Sequence, residues 1–179
     1  GIERIVAGLA AELQAMGHRV DLIAGPGSQS YGGDLVIHRR PGPGWFSRAF
    51  RKAWFQVRTL PAILRADAVL NFGRLDYLFS ALRTRVPLVC CFQNPVSQTE
   101  VDWLRHRRRR RLALVGISQS QIEDLRDRDE FAIIPNATEV GRFPFQAKTE
   151  EPPYLAFLGR ITKNKGADTA IRVARRSGM

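Results

Sequence analysis

The densest run of chemically capable residues lies late in the chain, at Leu155-Ala156-Phe157-Leu158-Gly159-Arg160-Ile161-Thr162-Lys163-Asn164-Lys165-Gly166. An apolar strand here is expected to deliver a Gly-Arg pair, and Lys165-Gly166 then opens a helix. Glycine lets a backbone approach a ligand closely. Arginine presents a forked pair of donors to phosphate oxygens, and lysine a point charge. The helix N-terminus behind them adds free N–H groups and the positive end of a dipole. Ligands of open α/β sheets bind beyond the carboxyl ends of strands, where this turn falls. Two linked phosphates suit such a turn; a solvated basic turn is the competing reading of so short a motif.

Other candidates are weaker. Gln93-Asn94-Pro95 follows an apolar run. Either amide can hydrogen-bond a hydroxyl, but neither can act as a general base at neutral pH. A polar turn closing a strand is the equal alternative. His18, His38 and His106 have no convergent partners and read as surface or strand-edge residues. No two histidines and a carboxylate stand at metal spacing, so no protein-ligated metal and no cofactor is expected. Cys90 and Cys91 are adjacent in an apolar segment, which predicts reduced thiols in a cytosolic protein. Asn136-Ala137-Thr138 is formally a glycosylation sequon, but nothing in the sequence points to secretion.

The elements that would position these residues follow from hydrophobic periodicity. Ile2, Ile5, Val6, Leu9, Leu13 and Met16 form one helical stripe that Gly17 terminates. Strands are expected at 20–24, 35–38, 68–70, 87–92, 112–117, 131–134 and 154–158. Helices are expected at 45–64, 75–82, 98–110, briefly after Ser118, and at 167–176. Most strands are continuous apolar runs rather than alternating ones, which indicates a parallel sheet covered on both faces. The predicted architecture is a doubly wound α/β domain over 1–145, a polar, Pro-rich linker over 146–153, and the first strand-turn-helix of a second domain over 154–179.

The totals narrow the class. A chain of 179 residues suits one domain and a remainder. No apolar run approaches the roughly 18 residues that cross a bilayer, and the first residues read as an amphipathic helix rather than a leader. The net charge of +11 and pI near 10.9 predict attraction to something anionic. Six arginines crowd between Arg105 and Arg111.

Four segments in order resemble family 4 glycosyltransferases, which have the two-domain GT-B fold with Rossmann-like halves. Gly159-Arg160-x₄-Lys165-Gly166 after an apolar strand is similar to that family's donor-phosphate turn. Gly1-Ile2-Glu3-Arg4-Ile5-Val6, with Leu9, Leu13 and Gly17-His18, resembles the helix after its N-terminal Gly-Gly loop. Val115-Gly116-Ile117-Ser118-Gln119-Ser120 resembles its Val-x-Ile-Ser-x-Ser strand end. Ile134-Pro135-Asn136-Ala137-Thr138, with Arg142-Phe143, resembles its interdomain crossover.

The resemblance implies a nucleotide-diphosphate sugar as donor, transfer of a hexose to an unidentified acceptor, and retention of anomeric configuration. Arg160 and Lys165 would neutralise the donor diphosphate, while Gly159 and Gly166 would permit the tight turn. Gly1 would be the remaining half of the glycine pair facing the cleft. Ser118, Asn136 and Asn94 would border the cleft and crossover. Gln93 stands where many members carry a histidine. The family's first strand, first glycine and paired donor-binding glutamates have no counterpart in these residues. The chain is therefore expected to be a fragment, inactive or nearly so by itself.

The basic segments admit a further expectation. In the 45–64 helix, Phe46, Phe50, Ala53, Trp54, Val57 and Leu60 share one face, and Arg48, Arg51, Lys52 and Arg58 the other. The plain reading packs the apolar face on the sheet and leaves the basic face in water. The alternative is peripheral contact with an anionic membrane, shared with Arg105–Arg111. That suits a lipid-linked or cell-envelope acceptor and a cytoplasmic protein at the inner face of a membrane. The rival function is a basic module without catalysis that binds a membrane surface or nucleic acid. Nucleic acid is disfavoured, because no recognisable nucleic-acid-binding signature occurs.

Overall fold

The computed structural model describes residues 1–37, 45–107, 111–148, 152 and 154–178. His38, the Arg39-Arg40 pair, the 41–44 break, Arg108–Arg110 and part of the expected linker lie outside the described residues. The chain divides into two compact units, Gly1–Thr138 and Glu139–Met179.

The first unit alternates helix and strand: α1 (Ile2–Ala15), β1 (Val20–Ala24), β2 (Gly32–Ile37), α2 (Trp45–Arg65), β3 (Val69–Asn71), a 3₁₀ turn at Leu75–Tyr77, α3 (Phe79–Leu82), β4 (Leu88–Cys91), α4 (Gln98–Arg107), β5 (Leu112–Gly116), further 3₁₀ turns at Gln119–Gln121 and Arg128–Glu130, and β6 (Phe131–Ile133). All strand pairs are parallel, as continuous apolar runs separated by helices require. The strands form two sheets, β1-β2 and β3-β4-β5-β6. This is a parallel α/β architecture, as the alternation of apolar runs and helices predicts.

The four-stranded sheet carries the core. Leu88, Cys90, Leu114 and Phe131 from its strands meet Leu78, Ala81 and Leu82 around α3, Val101 and Leu104 from α4, and Ile122 and Leu125. The N-terminus of α4 is fixed by a capping box: Glu100 Oε2 accepts from Ser97 N (2.9 Å) and Ser97 Oγ (2.8 Å). Between β1 and β2 the register slips near Val20, and Asp21 Oδ1 accepts from the backbone N–H of Asp34 at 2.8 Å. A Cβ at Gly33 would stand 2.4 Å from both that carboxylate and Val20 O, so only glycine fits there.

The orientation of α2 corrects the expectation from its pattern. The face packed inward is Thr59, Ala62 and Ile63, with Phe55 and Gln56 half-buried beside them. Phe50, Trp54, Val57 and Leu60 turn outward. Polar partners decide this. Thr59 Oγ1 donates to Phe55 O (2.9 Å), which satisfies a hydroxyl on a fully buried residue. Gln56 donates to Tyr77 O (3.0 Å) and accepts from Ser80 N (2.7 Å), and Lys52 pairs with Asp76. Side chains that count as polar in the sequence are thus drawn inward by backbone groups that need them.

In the second unit, the strand expected over 154–158 forms no ladder. Tyr154, Leu155, Phe157 and Leu158 are exposed, and none of them pairs with a strand among the described residues. Extended backbone becomes a strand only when a neighbour supplies the hydrogen bonds. The turn and helix that follow do form, with a 3₁₀ segment at Lys163–Lys165 and α5 over Ala167–Ser177.

Candidate functional site

Two clusters contain most of the residues singled out by the sequence. The first lies at the carboxyl ends of β4, β5 and β6, the edge where open parallel sheets bind ligands. Gly116 ends β5 in a buried position, where an added Cβ would lie 3.1 Å from Gln121 Oε1. That space lets Gln121 fold back over the sheet edge. Its Oε1 accepts from Ile117 N (2.7 Å), and its Nε2 donates to Phe92 O (3.0 Å) and Asn94 O (2.5 Å). One amide therefore ties the turn after β4 to the turn after β5.

Asn136 joins from beyond β6. Its Nδ2 donates to Gln93 Oε1 at 2.8 Å. That bond fixes the direction of the amide, and the Gln93 NH₂ has no partner among the described residues. Ser118 Oγ lies 3.1 Å from Ser120 Oγ on the same rim. Gln93, Asn94, Ser118 and Asn136 are thus brought to one edge, and Gln121, which the sequence reading passed over, holds two of the turns in place. The signal for Gln121 was present: a glycine ending an apolar strand five residues before an amide.

The second cluster is the turn before α5. Thr162 N donates to Arg160 O and Lys165 N to Thr162 O, both at 2.9 Å, and Gly166 N donates to Lys163 O at 3.3 Å. Gly166 adopts φ 67°, ψ 32°, the left-handed conformation that favours glycine, and caps α5. At Gly159 an added Cβ would meet Phe157 Cζ at 3.2 Å. Arg160 and Lys165 are exposed, and neither side chain has a partner among the described residues. The first helical bond of α5 runs from Ala170 N to Gly166 O, leaving the preceding N–H groups of its first turn free. Asp168, which would repel an anion there, is paired with Arg172 at 3.3 Å. A turn whose two cations and first helical N–H groups have no partner among the described residues is equipped to hold phosphate oxygens.

Gly1 stands apart from these contacts, as the N-cap of α1, where its carbonyl accepts from Arg4 N at 3.1 Å. Among the described residues no group of three His, Cys, Asp or Glu side chains could hold a metal ion. Burial pushes the Cys91 thiol up from its ordinary value, so it remains protonated at neutral pH.

The arginine run is engaged internally where it is described. Arg105 bridges Asp127 (2.7 Å) and Glu130 (2.6 Å). Arg107 stacks on Trp103 with 4.2 Å to the ring centroid and donates to Trp103 O. Arg111 donates to Arg85 O at 3.0 Å. These side chains serve the fold first.

No curated protein gives a significant match to the chain. Residues 1–142 match the family model described as Glycosyltransferase Family 4, a span that includes the whole β4–β6 edge with Gln93, Asn94, Ser118, Gln121 and Asn136. With that much of its length accounted for by one family, the chain belongs to glycosyltransferase family 4.

Proposed function

We propose that the protein, in its intact form, transfers a hexose from a nucleotide-diphosphate sugar to a hydroxyl of a lipid-linked or cell-envelope saccharide, with retention of configuration, on the cytoplasmic side of a membrane. Family membership supports the reaction class. The observation that carries the donor assignment is the turn before α5, where Arg160 and Lys165 have no partner among the described residues and lie beside first-turn helical N–H groups that donate to none of those residues' carbonyls.

In the transfer, the bond between the sugar's anomeric carbon and the diphosphate oxygen breaks, and its electron pair leaves with the diphosphate. The acceptor oxygen bonds to the same carbon, and its proton passes to the departing phosphate. Arg160, Lys165 and the α5 N-terminus favour the charge that grows on the diphosphate, a kind of stabilisation that is commonly the largest catalytic contribution. Gln93 cannot take the proton. Its NH₂, which has no partner among the described residues, can orient a sugar or acceptor hydroxyl, with Asn136 fixing the amide's direction.

The test is turnover of a panel of nucleotide sugars by the intact protein. Arg160→Ala and Lys165→Ala should each lower kcat/KM by roughly 10²–10³-fold. Near-normal turnover in both variants would remove the site assignment, and failure to bind any sugar nucleotide would remove the donor class.

A further inference from the structure

The outward face of α2 is an apolar stripe with no protein partner among the described residues. Phe50, Trp54, Val57 and Leu64 are 71%, 56%, 63% and 60% exposed. Their spacings of four, three and seven residues put them in one row along roughly 20 Å of helix. Cations border the row on both sides. Arg58 is exposed on one flank and has no partner among the described residues. On the other flank runs a shallow groove of about 400 Å³, lined by Lys52, Ala53, Gln56, Asp76, Phe79 and Arg83. The guanidinium groups of Arg83 and Arg107 both lie 5.9 Å from the centroid of the Phe79 ring at this groove. The sequence of α2 contains no acidic residue.

We propose that this face seats on an anionic lipid bilayer, with Phe50, Trp54, Val57 and Leu64 entering the boundary between headgroups and acyl chains while Arg58 and Arg83 meet lipid phosphates. Charge complementarity selects this occupant. A second copy of the chain would bring two molecules of net charge +11 together through a helix that offers no carboxylate to the partner's arginines. A row of aromatic and aliphatic side chains with arginine along its border is the layout of a helix lying in the plane of the membrane interface. No helix among the described residues is long and apolar enough to cross a membrane. Exposure also follows from the fold itself: Thr59, Ala62, Ile63 and Gln56 fix the opposite face of α2 against the domain.

The proposal is independent of the donor assignment, and different measurements address each: turnover in detergent reads the donor site, whereas vesicle binding reads α2. The experiment floats the intact protein with phosphatidylcholine vesicles, with and without phosphatidylglycerol. Flotation is expected only with the anionic lipid and should weaken as salt is raised. Replacing Phe50, Val57 and Leu64 together with serine should weaken vesicle binding at least tenfold, and Arg58→Glu should do so several-fold. If the triple variant fails to fold, fluorescence quenching by brominated lipid settles the matter in the unaltered protein. Quenching that Trp54→Phe abolishes supports the seat, and equal quenching in that variant overturns it. Absence of flotation, or flotation unaffected by the serine variant, would also overturn it. So would self-association in lipid-free buffer that the same variant abolishes, which would assign the face to a second copy.

Discussion

A single amide, that of Gln121, ties together two turns at the carboxyl edge of the four-stranded sheet. Replacing it with alanine leaves the half-buried Ile117 N–H without its acceptor and frees the turn bearing Gln93 and Asn94. An unsatisfied buried donor costs about 1–3 kcal/mol. The denaturation midpoint of Gln121→Ala should fall accordingly, with no change in the slope of the transition, and acceptor KM should rise in the same variant. Asn136→Ala has a narrower expected effect: the direction of Gln93's amide is lost, so turnover should fall while stability stays within about 0.5 kcal/mol, as suits an exposed side chain. The resemblance to family 4 motifs made Ser118 and Asn136 legible as cleft candidates, and the polar turn Gln93-Asn94-Pro95 after an apolar run added Gln93 and Asn94. The bond between Gln93 and Asn136 was not legible, because it joins positions 43 residues apart and depends on the neighbouring of β4, β5 and β6.

Among the elements, α2 gives the sharpest contrast. Its inner face holds Ile63 at 5% exposure, its outer face Val57 at 63%. Ile63→Ala should therefore destabilise by about 2–4 kcal/mol, and Val57→Ala by less than about 0.5 kcal/mol. Chemical denaturation of the two variants distinguishes the observed orientation from the one its hydropathy suggests, which would reverse their order. The strands were readable because parallel strands covered on both faces must be apolar throughout. The facing of α2 was not, since hydropathy scores Gln56 and Thr59 as solvent-seeking and contains nothing about the backbone groups at Phe55, Tyr77 and Ser80 that receive them. The expected strand at 154–158 illustrates the same limit, because local sequence can favour an extended backbone but cannot provide the ladder.

For the molecule as a whole, the arginine run matters through the carboxylates it meets. Gln98, donating at 2.7 Å, holds the Asp127 carboxyl below its ordinary value, and Arg105 adds to the effect. A depressed carboxylate contributes stability that is fully present above the unfolded-state value of about 3.9 and is lost as pH falls through the lower folded value. Asp21, held down chiefly by the Asp34 N–H and further by Arg19, behaves in the same sense. The intact domain should therefore lose stability steeply below about pH 4. Asp127→Asn should be less stable at neutral pH and show a shallower acid limb when melting temperature is followed between neutral and acid pH. High positive charge compounds the acid effect, since protonating carboxylates adds to a net charge that is already +11.

The division of the strands into two sheets has a kinetic consequence. Among the described residues β1 is bonded to β2 and to no other strand, whereas β4 and β5 are each flanked on both sides. A lone parallel pair has few neighbours to keep it closed, so it should open locally far more often than the four-stranded sheet. Deuterium should accordingly label the amides of Leu22 and Ile23 well before those of Leu114 and Val115. A protease acting on this chain of 179 residues should cut first in the β1–β2 ribbon and leave the edge bearing Gln93 and Gln121 intact.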